Sequence, residues 1–254
     1  MIKKVRSNFV AATGWIIRWV VLIVILSAAF FGVLVWRARP AAAAICPQCF
    51  GFKSSGKQVY VQRSMPTLES VKLQRALSLA EERIRDFYGD NGVHPRTLVC
   101  ATQKCIRRIG GGDASSGSVG SFVMILGPQA DSATEIAREL SLIEVSKRIG
   151  LFHTMMASVP AWFDEGVAAL AANDPAYIGP ANAKHSRCLT SPEDDLPVDM
   201  QSWVNESNQY PFINAQAACR VYEWMRARGG RDAIVRLLSQ IAHGQTFASA
   251  YGGH

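Results

Sequence analysis

Histidine is scarce in this chain: five in 254 residues, at positions 94, 153, 185, 243 and 254, with no two of them four apart. Two imidazoles that grip one metal from one helix need that spacing, about 40° apart around the axis, so a helical His-x-x-x-His zinc pair is excluded. Phosphate-loop chemistry is excluded too. The glycine-rich run RIGGGDASSGSVGS, residues 108–121, lacks the Gly-Lys-Ser/Thr ending that cradles phosphates; it is expected as a hairpin excursion between two strands. No internal repeat appears, so the chain is not an array of repeated units. Nor is there a real charge excess outside the first stretch. Residues 1–39 hold six Lys/Arg and no Asp/Glu, which leaves 21 basic against 20 acidic residues for 40–254. That balance gives no footprint for a polyanion, and nucleic acid is not an expected partner.

What is present begins with one long apolar run. Trp19 to Trp36, WVVLIVILSAAFFGVLVW, is eighteen residues without a charge, which at about 1.5 Å per residue comes close to spanning a bilayer of roughly 30 Å. Trp15, Trp19 and Trp36 sit near its ends, at the expected headgroup level. The run predicts a transmembrane anchor over 19–36, after a flank of residues 1–18 and before an alanine-rich linker, 37–45. The small residues RPAAAA leave a cleaved signal as the alternative. Lys3, Lys4, Arg6 and Arg18 precede the run, against Arg37, Arg39 and Lys53 after it. The basic flanks put the amino terminus inside, and the membrane is the expected partner of this helix, with the rest of the chain on the extracytoplasmic side.

Six cysteines fall in three local groups: Cys46 with Cys49, Cys100 with Cys105, and Cys188 with Cys219. An even count outside a membrane reads as disulfides in an oxidising compartment. A four-thiolate zinc site from the first four is the rival; it leaves Cys188 and Cys219 unexplained.

Residues 46–254 read as one α+β domain. Val59, Tyr60 and Val61 favour a strand. In the segment from Ser64 to Gly92, Leu73, Leu77, Ala80, Ile84 and Phe87 step by four and three along one helix face, and Gly89 supplies the stop. RTLVCAT and GSFVMILGP are short apolar runs bounded by turn residues, hence strands. Ile136, Leu140, Ile143, Val145 and Ile149 mark a further helix, Pro160 opens the next, and two more close the chain around Gly229 and Gly230. Between them, residues 173–197 are irregular and read as a rim loop. A small sheet lobe with one long helix, then a helical lobe, is the expected architecture.

Two stretches carry a more specific resemblance. ARELSLIEVSKRIGLF, from Ala137, and VPAWFDEGVAALAANDP, from Val159, are similar to the motifs of gluzincin-like zinc peptidases, which run His-Glu-Leu-Ser-His-x-Glu and then Pro-Ala-Trp-Phe-Asp-Glu-Gly. The likeness extends from the strand around Tyr60 to GQTFASAYG near the end, and it implies a thermolysin-like core. Matched position by position, Arg138 stands for the first histidine ligand, Glu139 for the water-polarising carboxylate, Leu142 for the second histidine and Glu165 for the third ligand, with 22 residues between Leu142 and Glu165. Two of the three ligands are therefore replaced. Arginine stays protonated with no lone pair to donate, leucine has no donor at all, and zinc is expected to be lost. The Arg138 guanidinium is expected to pair with Glu165, supplying the positive charge that the metal no longer brings.

Other residues enter as alternatives. His153 would have to fold back past Gly150 to rebuild a zinc site. Tyr210 is a weak match for the tyrosine that steadies an oxyanion in such peptidases. Glu139 and Glu165 together would suit a metal-free acid/base pair. Asp164 and Glu144 read as cap, surface or supporting groups. The resemblance thus implies a non-catalytic peptidase-like protein holding an extended peptide or a protein partner at the sheet edge near GSFVMILGP; the alternative is a working hydrolase with zinc in a rebuilt site.

Overall fold

The computed structural model describes residues 18–19, 21–29, 39–89, 92–111, 116–129, 132–182 and 186–253. The expected membrane span lies only partly among them, since positions 20 and 30–36 fall outside, as do residues 1–17 of the flank. Residues 21–29 are helical and exposed, a length of about 14 Å at the usual helical rise. Among the described residues no helix is long and apolar enough to cross a membrane. The transmembrane helix is therefore corrected, and with it the membrane as a partner and the single-pass membrane location that rested on it.

Most of the stretch expected as a linker is also structured. Residues Arg39–Ile45 form helix α1, whose Ala43 and Ala44 are buried against the sheet beside Phe52, Leu98 and Ile106. Small side chains let this short helix lie close to the strands.

Five strands form one mixed sheet among the described residues: β1 (Phe52–Gly56), β2 (Val59–Gln62), β3 (Arg96–Val99), β4 (Ser116–Val119) and β5 (Val123–Leu126), in the order β1-β2-β3-β5-β4. The inner pairs β2/β3 and β3/β5 are parallel; the outer pairs β1/β2 and β4/β5 are antiparallel. Parallel neighbours need a crossover, and α2 (Thr67–Tyr88) provides the one from β2 to β3. Its Leu73, Leu77, Ala80, Ile84 and Phe87 are buried as their spacing predicts, and Gly89 ends it in the left-handed conformation. Helix α3 (Gln103–Arg108) and β4 lie between β3 and β5.

The pleat divides β5 between two cores. Val123 and Ile125 join Leu98, Ile106 and Ile109 under α1 and α3, while Met124 and Leu126 face the longer helices. Burial on both faces explains why VMIL has no polar alternation. It also places GSFVMILGP in the interior of the sheet, so the edge expected there is supplied by β4.

The second half of the chain contributes α4 (Ala133–Met155), α5 (Ala161–Ala172), α6 (Met200–Gln209), α7 (Ile213–Ala227), α8 (Arg231–Ala242) and α9 (Phe247–Gly252). These do not make a lobe of their own. One core runs from Val61 and Met124 on the sheet through Leu140 and Phe163 to Ile234 and Leu238. Ser132 caps α4 by accepting from the Glu135 amide at 3.1 Å, and Gly150 (φ 83, ψ 162) kinks the helix near its end. Helices α5 and α7 meet at Gly166. A Cβ there would lie 2.7 Å from the Ala217 carbonyl oxygen and 2.7 Å from Val221 Cγ2, so only glycine fits.

Three disulfides are formed, Cys46–Cys49, Cys100–Cys105 and Cys188–Cys219, and no described cysteine is free. The four-thiolate zinc alternative is thereby removed. The third bridge ties the irregular segment after α5 to α7, and all three fit an oxidising compartment.

Candidate functional site

The two motifs that stand out in the sequence come together where α4 packs on α5. Arg138, Glu139 and Leu142 lie on α4, Asp164 and Glu165 in the first two turns of α5. Arg138 Nη2 donates to Glu165 Oε2 at 2.9 Å, the pairing expected from its charge and position. Its Nη1 is 3.7 Å from Asp174 Oδ2, and its Cζ lies 4.9 Å from the centre of the Tyr177 ring. The guanidinium is thus held by two carboxylates and one aromatic face. Burial alone would lower the Arg138 pKa; the Glu165, Tyr177 and Asp174 groups outweigh it, and the net shift is upward.

Glu139 points the other way, toward the sheet. Its Oε1 accepts a 2.6 Å hydrogen bond from Ser116 Oγ on β4. Burial raises its pKa; the Ser116 hydroxyl opposes that, Glu165 adds to it, and the carboxyl ends above its ordinary value. Asp164 is perturbed further. Burial, then the Glu165 and Glu139 charges, push it well above the usual carboxylate range, and its buried Oδ1 has no hydrogen-bond partner among the described residues. Asp164, expected as a cap, surface or supporting group, is therefore one of the most strained electrostatic positions in the cleft.

Glu144 is likewise buried, at 1 % exposure, with one oxygen on Arg148 Nε at 2.7 Å and the other unpartnered among the described residues. Beside it the buried Tyr88 hydroxyl meets Ser141 Oγ at 2.8 Å, and Arg148 lies 5.0 Å from the Tyr88 ring. This polar layer sits between α2 and α4 within the core; burial, the largest influence, drives the Tyr88 pKa upward.

The remaining candidates do not join the cleft. Leu142 is half-buried one turn after Arg138 and offers no donor atom. His153 lies beyond the Gly150 kink, with Nδ1 3.2 Å from Ser158 Oγ and its ring against Phe152. Tyr210 is exposed at the end of α6, its ring tilted against Phe212 with centres 6.0 Å apart. His94 faces Glu81 at 3.7 Å, His243 Nδ1 lies 2.7 Å from the Ser239 carbonyl oxygen, and His185 and His254 fall outside the described residues.

Asp174 and Tyr177 were not anticipated. Both lie in NDPAYIG just past α5, where Asn173 adopts a left-handed conformation (φ 51) and Asp174 Oδ1 accepts from the Ala176 amide at 3.0 Å. The signal in the sequence was the Asx-turn pattern of Asp before proline, which brings the chain back over the helix it has left.

A zinc ion does not fit this set of side chains. Arg138 and Leu142 have no electron pair to give, and the one carboxylate in a ligand position is already bound by a cation. What this cluster can do is hold charge: one guanidinium, the four carboxyl groups of Glu139, Asp164, Glu165 and Asp174, and a strand alongside. Compared with known proteins, the chain matches no family model, no curated protein and no solved structure. The thermolysin-like core implied by the two motifs is corrected accordingly: α+β content with a mixed sheet describes the molecule, and the named architecture does not.

Proposed function

We propose that this domain is a non-catalytic, peptidase-like binding module that holds an extended peptide, or a segment of a protein partner, along β4 beside the α4/α5 cleft. The observation that carries this is the Arg138–Glu165 contact at 2.9 Å. A cation sits where the motif resemblance would put a metal ligand, and it occupies the only carboxylate that the resemblance assigns to the metal. The outer position of β4 adds support. A strand at the end of a sheet presents backbone donors and acceptors to an incoming segment, and Ser116 joins this strand to the cleft through Glu139.

The full chain should carry no stoichiometric zinc after dialysis, and should leave a generic peptide mixture uncut whether or not a chelator is added. Stoichiometric zinc with chelator-sensitive cleavage overturns the proposal. Peptides selected from a random displayed library on the immobilised chain should protect the amides of residues 116–119 from hydrogen exchange. Binders that protect only other surfaces would remove β4 from the proposal. A third measurement addresses the motif alignment: R138H/L142H together should create chelator-removable zinc binding that neither single variant has. A folded double variant without zinc would count against matching the two motifs.

A further inference from the structure

A second concave site lies between α7, α8 and α9 and shares no residue with the α4/α5 cleft. It is a cavity of about 760 Å³, within the range of sites that take small organic molecules. Its polar lining is Arg228, Arg236, Gln240, Gln245 and Ser249, with Trp224 at the wall, and no acidic residue lines it.

The two arginines, Arg228 and Arg236, come to this cavity from different parts of the chain. Arg138, Arg148, Arg220 and Arg226 each face a carboxylate, whereas Arg228 and Arg236 have no carboxylate partner among the described residues. The Arg228 guanidinium lies 5.1 Å from the Trp224 ring centre, and its Nε–H is buried without an acceptor among the described residues. Arg236 Nη2 donates to the Arg228 carbonyl oxygen at 2.9 Å, which brings its charge to the same cavity. Two like charges sharing one concave surface repel. An anion between them reverses its sign and supplies acceptors for the free N–H groups.

We propose that this cavity binds a small organic anion, carboxylate or phosphate ester, with Arg228 and Arg236 on the anionic group and Gln240, Gln245 and Ser249 on the polar remainder. A bare phosphate ion would leave most of the volume unfilled. Trp224, 5.1 Å from the Arg228 guanidinium, forms the wall beside it.

The test is titration calorimetry of the full chain with two probes, succinate and glycerol 3-phosphate, which separate the carboxylate from the phosphate source. At least one should bind at a single site at millimolar concentrations and raise the melting temperature. R228Q/R236Q should weaken that binding by about tenfold or more, while R226Q, two residues before Arg228 but paired with Glu223, should leave it unchanged. Arg236 is exposed, so R236Q alone keeps the fold and must weaken binding even if the double variant does not fold. R228K/R236K, which keeps the charges but loses the planar fork, should fall between wild type and R228Q/R236Q. No binding of either probe, or binding unaffected by R236Q, overturns the proposal.

Discussion

Arg138 and Glu165 stand 27 residues apart on two helices, and their charged groups meet at 2.9 Å with side chains 23 % and 13 % exposed. Removing Arg138 leaves Glu165, and Asp174 beside it, without a counter-charge in a poorly solvated place. R138M should therefore destabilise the domain by about 3 kcal/mol. R138M/E165Q, which removes one of the two stranded charges, should lose less. Urea unfolding of the three proteins checks this; a double variant less stable than R138M would show that the pair acts through packing.

The cleft carboxyls set a pH dependence of unusual sign. Asp164 and Glu139 both have pKa values raised by burial, so the folded state binds protons more tightly than the unfolded chain. Their contribution is fully present below the ordinary carboxylate value near 4 and is lost as pH rises through the raised folded values. D164N cannot ionise, so it should gain stability relative to wild type as pH increases. Unfolding midpoints of both proteins across the acid-to-alkaline range measure the gap; a constant gap would mean that Asp164 titrates alike in the folded and unfolded states.

Gly166 is a packing requirement. With the Ala217 carbonyl oxygen and Val221 Cγ2 both 2.7 Å from a Cβ at this position, G166A forces α5 and α7 apart. A loss of about 2–3 kcal/mol is expected, the scale of overpacking in a core with little room to relax. Thermal melting tests it, and an unchanged midpoint would show that the two helices slide freely.

The Cys188–Cys219 bridge closes a loop with sequence separation 31. Constraint of the unfolded chain by a loop of that length is worth about 4 kcal/mol. C188S/C219S should lose that amount in urea titration under non-reducing conditions, and C46S/C49S, whose loop spans a separation of 3, should lose less.

How much of this was legible in the sequence follows from what makes each element. The stripe on α2 from Leu73 to Phe87, with Gly89 after it, carries its own helical period and its own stop, and it was read correctly. Strand β4 was not. SGSV has little intrinsic preference for a strand, and it exists because each residue pairs across to β5. The arginine-for-ligand pairing was readable because both motifs are local and chemically explicit. Its other partners were not, since Asp174 and Tyr177 reach Arg138 only through the reversal of the chain after Ala172. Among the readings open for Asp164, burial beside Glu165 and Glu139 fits the supporting one, and nothing short of tertiary packing distinguishes a first-turn aspartate that is solvated from one that is sealed in.

The tight seat of Gly166 bears on how the cleft accommodates anything. Because α5 is pressed onto α7 without slack, and α7 is bridged to the segment following α5, that wall behaves as a single stiff body. Across from it lies Ser116 to Val119, the outermost strand of the sheet among the described residues. In the binding mode proposed above, a peptide along β4 would meet an open strand edge on one side and close-packed helices on the other.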